Sequence, residues 1–176
     1  MAFPCCCSLS KGIRAAGLVS ALLALAVCGV AGCFGWEAYE ESQTEGFKAK
    51  KAIGEGTTSI FKSFGIEQKV DFVKINRIKL ACYGVAFGAA ALQLLTSLLI
   101  LICPAAKSGK STAKLYSFIN PFVLIALLGA VGCFFSGGTG IDYENDRDVQ
   151  YFLGVAVLDS VFLLYLLCVA GAFIRS

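Results

Sequence analysis

The chain has 176 residues, of which 57% are hydrophobic and only 15% are charged, and its formal net charge at pH 7 is +3. A mean hydropathy of +0.76 is typical of a protein that lies in a lipid bilayer rather than of a soluble domain. The 15 Lys and Arg residues are spread along the chain, so a basic surface for nucleic acid is not expected. Histidine, the commonest general base and a common metal ligand, is absent. We therefore predict a non-enzymatic protein with no cofactor.

Four apolar runs follow one another along the chain, at residues 13–34, 80–103, 116–135 and 149–174. Each is long enough to cross a bilayer as a helix, which takes about 20 residues. The first run follows cationic residues, as a signal peptide would, but it exceeds the apolar core of about 7 to 15 residues of such peptides. The sequence predicts an all-α membrane protein in which residues 1–176 form a single domain, a bundle of four transmembrane helices. Pro121, near the start of the third run, is expected to mark a helix start rather than a kink.

The connections between these runs bear on the orientation of the protein. The large loop, residues 36–79, has eight basic and seven acidic residues, and its apolar part suits a segment on the membrane surface. Residues 104–115 include three lysines and no acid, whereas 137–148 include four acids and one arginine. This asymmetry favours an orientation with cytoplasmic termini, in the plasma membrane or an endomembrane. The total count of basic residues favours the reverse orientation, because six would lie on the side of the termini and nine on the other side.

Three consecutive cysteines, Cys5, Cys6 and Cys7, precede the first run. Cysteines at this position are typical of S-palmitoylation, which takes place on the cytoplasmic side of the membrane. The alternative is that they are incidental thiols close to the membrane.

Small residues recur at every fourth position of the first run and again in the second and third. They are Ala16, Ser20, Ala24, Cys28 and Gly32, then Gly84 and Gly88, then Gly129, Cys133 and Gly137. Such ridges let helix backbones approach closely, which drives helix association in lipid. They predict either packing within the bundle or docking of a partner helix, and both interpretations remain open.

Asp159 is the only acidic residue deep within an apolar run, and Gln93 lies at a similar depth. An ionised carboxylate at the bilayer centre costs at least about 2.5 to 3.5 kcal/mol, so Asp159 is expected to face the interior, find a donor or stay protonated. We predict a hydrogen bond between Gln93 and Asp159, helped by Ser160, Ser97 or Thr96. The alternatives are an ion or proton site, or contact with a polar group of a partner.

Aromatic residues near the ends of the runs are predicted to anchor the protein at the membrane interfaces. They are Trp36, Tyr83, Tyr116, Tyr143 and Tyr151.

The topology resembles that of MARVEL-type four-span proteins of junctions and vesicles. Trp36 is present without the cysteine pair of claudins, and the large loop follows the first span rather than the third as in tetraspanins. The resemblance implies a role in organising membranes and transfers no functional residue. Our first functional hypothesis is an accessory or organising subunit whose partners are membrane lipids and other integral membrane proteins or a second copy. The alternative is a small transporter, channel or lipid-handling subunit that uses Asp159.

Overall fold

The computed structural model describes residues 9–43, 72–102, 108–135 and 146–175. All of these residues except Asp146 are helical. They form α1 (Leu9–Gln43), α2 (Phe72–Ile102), α3 (Ser108–Phe135) and α4 (Arg147–Arg175). Each helix is long and apolar enough to cross a membrane. The predicted fold class is confirmed, and the protein is a multi-pass integral membrane protein.

The helices extend beyond the predicted spans. α1 continues to Gln43 and α2 begins at Phe72, so both ends of the predicted loop 36–79 are helical. α3 begins at Ser108, which places Pro121 in the helix interior and makes the expectation that it marks a helix start wrong. Alanine and lysine before the apolar run are good helix formers, and they let the helix begin outside the lipid. Because proline has no backbone N–H, Pro121 leaves the Ser117 carbonyl without its usual hydrogen bond within the helix.

The four helices form a closed ring in which each packs against two neighbours, with α1 and α4 completing the ring. Gly17 lies against Ile100 and Gly35 against Tyr83, so α1 and α2 run in opposite directions. The contacts of Tyr83 with Phe134 and of Thr96 with Asn120 make α3 antiparallel to α2. The contacts of Tyr83 with Phe152 and of Gln93 with Asp159 make α4 parallel to α2. α2 and α4 therefore face each other diagonally across the centre.

Aromatic side chains fill the end of the bundle at which α1 and α3 end. The Tyr83 ring packs edge-on against Phe152, with the centroids 5.1 Å apart, and lies 5.6 Å from the ring of Phe134. Tyr83 is only 2% exposed, so its predicted role as an interface anchor is wrong. Its helix face points to the bundle centre, whereas Trp36 and Tyr151 are more than 60% exposed at the predicted interface positions.

An ion pair between Lys79 and Asp146 ties α2 to the start of α4 at this same end. Asp146 also caps α4, because its Oδ1 accepts a hydrogen bond from the backbone N–H of Val149 at 3.3 Å. Burial on its own raises the pKa of Asp146, but the hydrogen bonds from Lys79 and Val149 outweigh burial and leave the pKa below its ordinary value.

Candidate functional site

Polar side chains from all four helices meet inside the bundle, in the half towards the beginning of α1 and α3. We call this group the polar cluster. Every member is 4% exposed or less. Its members are Ser20 of α1, Gln93, Thr96 and Ser97 of α2, Tyr116 and Asn120 of α3, and Asp159 of α4. Because buried polar groups in lipid depend on one another for hydrogen bonds, the cluster is the candidate functional site.

The predicted bond between Gln93 and Asp159 is present and crosses the bundle diagonally. Gln93 Nε2 donates to Asp159 Oδ1 at 2.9 Å. The same amide nitrogen lies 3.3 Å from the Ser20 hydroxyl. Gln93 thus joins α2 to both α4 and α1 near the middle of the membrane.

Ser20 is the centre of the hydroxyl network. Its Oγ lies 2.8 Å from Ser97 Oγ and 3.0 Å from the Tyr116 hydroxyl. The single hydroxyl proton of Ser97 is donated either to Ser20 Oγ or to the backbone carbonyl oxygen of Gln93, which is 2.7 Å away. Tyr116 is 2% exposed, so the prediction that it anchors the protein at the interface is wrong. The Tyr116 hydroxyl lies inside the bundle against Ser20, and α3 begins two turns before this residue.

Asn120 extends the cluster along α3 and was not predicted from the sequence. Its Nδ2 donates to Thr96 Oγ1 at 3.1 Å and to the Tyr116 carbonyl at 3.0 Å. An amide inside an apolar run was the signal that could have identified it. Ser160, a predicted helper of Asp159, instead donates to the Ala156 carbonyl of its own helix at 2.7 Å.

Several polar atoms of this region have no hydrogen-bond partner among the described residues. Three of them are acceptor oxygens: Asp159 Oδ2, Gln93 Oε1 and Asn120 Oδ1. The fourth is the hydroxyl of Ser117. The buried polar residues of the described segments include no Lys or Arg. The cluster is therefore rich in acceptors, and the chemistry that it lacks is a donor or a positive charge.

The ionisable side chains of the described helices were also compared with the ligand sets of metal sites. Within the described helices, no group of three or more Cys, Asp or Glu side chains is placed to hold a metal ion.

The small-residue ridge of α1 faces the bundle. Ser20 and Ala24 are fully buried, while Ala16, Cys28 and Gly32 are partly buried. Gly32 packs on the Phe87 ring, since a Cβ at Gly32 would lie 3.5 Å from that ring. The Cys28 thiol lies 3.9 Å from the Phe87 carbonyl oxygen. The structure thus places this ridge between α1 and α2, where it serves packing within the bundle.

The glycines of α2 point the other way. Gly84 and Gly88 are exposed, and a Cβ at either position would meet no atom within 4 Å. They form the floor of an apolar groove of about 510 Å³ between α2 and α3, which we call the outer groove. Leu92 and Phe122, which are 51% and 63% exposed, stand at its sides. The two small-residue patterns, which look alike in sequence, therefore have opposite environments.

The remaining predicted positions lie outside the polar cluster and the outer groove. On α3, Gly129 is exposed with open space above it, and Cys133 is also exposed. Cys5, Cys6, Cys7, Gly137 and Tyr143 lie outside the described residues.

The fold and these two features define the class of the protein: a four-helix integral membrane protein with a hydrogen-bonded polar interior and a glycine-floored groove on its outer surface. Comparison with protein-family models, with curated proteins and with solved structures finds no match to this chain.

Proposed function

We propose that this protein is a non-enzymatic accessory or organising subunit that packs against a transmembrane helix of another membrane protein through the outer groove. The observation that carries this proposal is the open space above Gly84 and Gly88. Two glycines one helical turn apart let a second backbone approach closely, and close backbone contact drives helix association in lipid. Within the described helices, no side chain packs on these two glycines.

The chemistry of the groove favours a helix as its occupant. The side chains at its sides, Leu92 and Phe122, are apolar and project beyond the glycine floor. A helix with small residues on one face fits between such side chains, ridge into groove. The expected partner segment is therefore an uncharged transmembrane helix with a small-residue stripe. A lipid acyl chain and a second copy of this chain are the competing occupants.

The experiment places a photo-crosslinking amino acid at Phe122, and in parallel at Leu164, which is 53% exposed on α4 away from the groove. We expect the probe at Phe122, but not the one at Leu164, to give a protein adduct in native membranes. Crosslinking to lipid alone from both positions would contradict the proposal. An adduct that contains only this chain would also contradict it, because the occupant of the groove would then be a second copy.

Glycine variants give the matched control. Gly88→Leu fills the floor of the groove, whereas Gly154→Leu adds the same side chain to an exposed glycine of α4 with nothing within 4 Å. A Cβ at either position would meet no atom within 4 Å, so both variants should fold. We expect Gly88→Leu to abolish the Phe122 adduct and Gly154→Leu to leave it intact. Equal adduct yields in the two variants would show that the groove is not the contact surface.

A second candidate function, a small transporter, channel or lipid-handling subunit, is favoured by the unpaired oxygen of Asp159 within a cluster drawn from four helices. Flux measured in liposomes tests it, because Asp159→Asn should abolish flux while leaving the fold intact. Flux that is unchanged in this variant would remove the transporter hypothesis.

Three predictions from the sequence accompany the proposal. The resemblance to MARVEL-type proteins rests on topology. The cytoplasmic position of the termini rests on the charge of the short loops, and the acyl anchors rest on Cys5, Cys6 and Cys7. All three agree with an organising role in the plasma membrane or an endomembrane.

A further inference from the structure

The contact between Gln93 and Asp159 is incomplete in a specific way. One bond is made, from Gln93 Nε2 to Asp159 Oδ1 at 2.9 Å. The other oxygen of each side chain, Gln93 Oε1 and Asp159 Oδ2, is buried and has no partner among the described residues. Both residues have no exposed surface at all. A primary amide and a carboxyl group thus face each other with one donor missing.

A single proton supplies that donor. A neutral carboxylic acid donates one O–H and accepts at its other oxygen, and a primary amide does the same with N–H and C=O. When the two groups pair, both of the unpaired oxygens gain a partner together.

Among the residues that the structure describes, the surroundings of Asp159 offer no positive charge in place of the proton. Gln93 of α2 is uncharged. The ionisable groups that interact with Asp159 from the other two helices are the Cys28 thiol of α1 and the Tyr116 phenol of α3. Both are either neutral or negative. A sodium ion would require several oxygen ligands at once, whereas a single proton satisfies Asp159 Oδ2 and Gln93 Oε1 together.

We propose that Asp159 is a proton-binding site: its carboxyl group is neutral and donates from Oδ2 to Gln93 Oε1, forming a two-bond pair that latches α2 to α4 across the bundle. The proton remains bound at neutral pH. This inference does not depend on the outer groove, so it stands or falls separately from the proposed function.

Infrared spectroscopy of the protein in phosphatidylcholine bilayers at neutral pH tests the protonation directly. We expect a carbonyl stretching band of a neutral carboxyl group that is present in the unmodified protein and missing from Asp159→Asn. The band should move to higher frequency in Gln93→Leu, because the hydrogen bond is lost. Loss of a carboxylate band in Asp159→Asn, in place of the neutral band, would overturn the proposal, as would a carboxylate band that depends on added sodium.

Stability provides a second measurement. Asn at position 159 offers the same donor and acceptor as a neutral Asp, so the unfolding equilibrium constant of Asp159→Asn should stay within about threefold of the original, the value of one average interhelical hydrogen bond. Asp159→Leu removes two such bonds and should raise the constant roughly eightfold. A change of more than about threefold in Asp159→Asn, in either direction, contradicts a neutral carboxyl group.

Discussion

Replacing Ser20 with alanine should loosen the bundle more than any other loss of a single hydroxyl in it. Ser20 Oγ contacts Gln93 at 3.3 Å, Ser97 at 2.8 Å and Tyr116 at 3.0 Å, so one hydroxyl joins three helices. At about 0.6 kcal/mol for an average hydrogen bond between transmembrane helices, the loss amounts to about 2 kcal/mol. After the change, the Ser97 hydroxyl can donate its proton to the backbone carbonyl of Gln93 alone. This compensation lowers the expected loss to about 1 to 2 kcal/mol.

Ser160→Ala is the matched control. Ser160 is also buried, but its hydroxyl bonds to the Ala156 carbonyl of the same helix and holds no second helix in place. Such a bond adds little to stability, so this variant should lose less than about 0.5 kcal/mol.

The assay is reversible unfolding in mixed micelles, with circular dichroism reporting the helix content as denaturing detergent is added. A double-mutant cycle with Tyr116→Phe should give a coupling energy with Ser20→Ala of about 0.6 kcal/mol or more. Equal losses for Ser20→Ala and Ser160→Ala, together with zero coupling, would refute the idea that the polar cluster holds the helices together.

Two further predictions concern other parts of the bundle. Gly17→Leu should destabilise the protein by about 1 to 3 kcal/mol, because even a Cβ added at Gly17 would lie 3.1 Å from Ile100. Gly29→Leu, on the open face of the same helix, should change the free energy of unfolding by less than about 0.5 kcal/mol. Equal effects of the two changes in the same unfolding assay would contradict the close packing of Gly17 on α2. For the ion pair of Asp146 with Lys79, the folded-state pKa of Asp146 is lowered, so its contribution is present above the unfolded-state pKa and is lost as pH falls through the folded-state pKa. Unfolding measured from neutral to acidic pH should show that Asp146→Asn removes up to about 1 kcal/mol at neutral pH and nothing at the acid end; a loss that is independent of pH would rule out the ion pair as its cause.

Depth along the membrane could be read from the sequence for the polar residues, but direction around the helix could not. Asp159 and Gln93 stood out because a polar group is costly in lipid, and the cost alone predicts that they pair. Tyr116 was predicted to be an interface anchor, and Asn120 was overlooked although it lies inside the predicted run 116–135. The structure turns both side chains into the bundle, where they are 2% exposed or less.

The small residues show the same limit more sharply. The ridge of α1 and the glycines of α2 follow one spacing, yet the first is buried against α2 and the second faces outward. Spacing fixes only that such residues share a helix face. Which face turns inward depends on the neighbours available, and those are set by the order of helices around the ring.

By itself the sequence determined that the chain crosses a membrane with four helices. About 20 apolar residues in succession match the thickness of the bilayer core, and in lipid a helix satisfies all the backbone hydrogen bonds of such a segment. It also determined that Asp159 requires a partner. Only the tertiary structure decided which hydroxyls and amides join that pair, that Tyr83 and Tyr116 are internal, and that Gly84 and Gly88 remain open. The physical reason is that hydrophobicity measures the transfer of a helix into lipid, which is nearly indifferent to rotation about its axis, whereas packing and hydrogen bonds depend on that rotation completely.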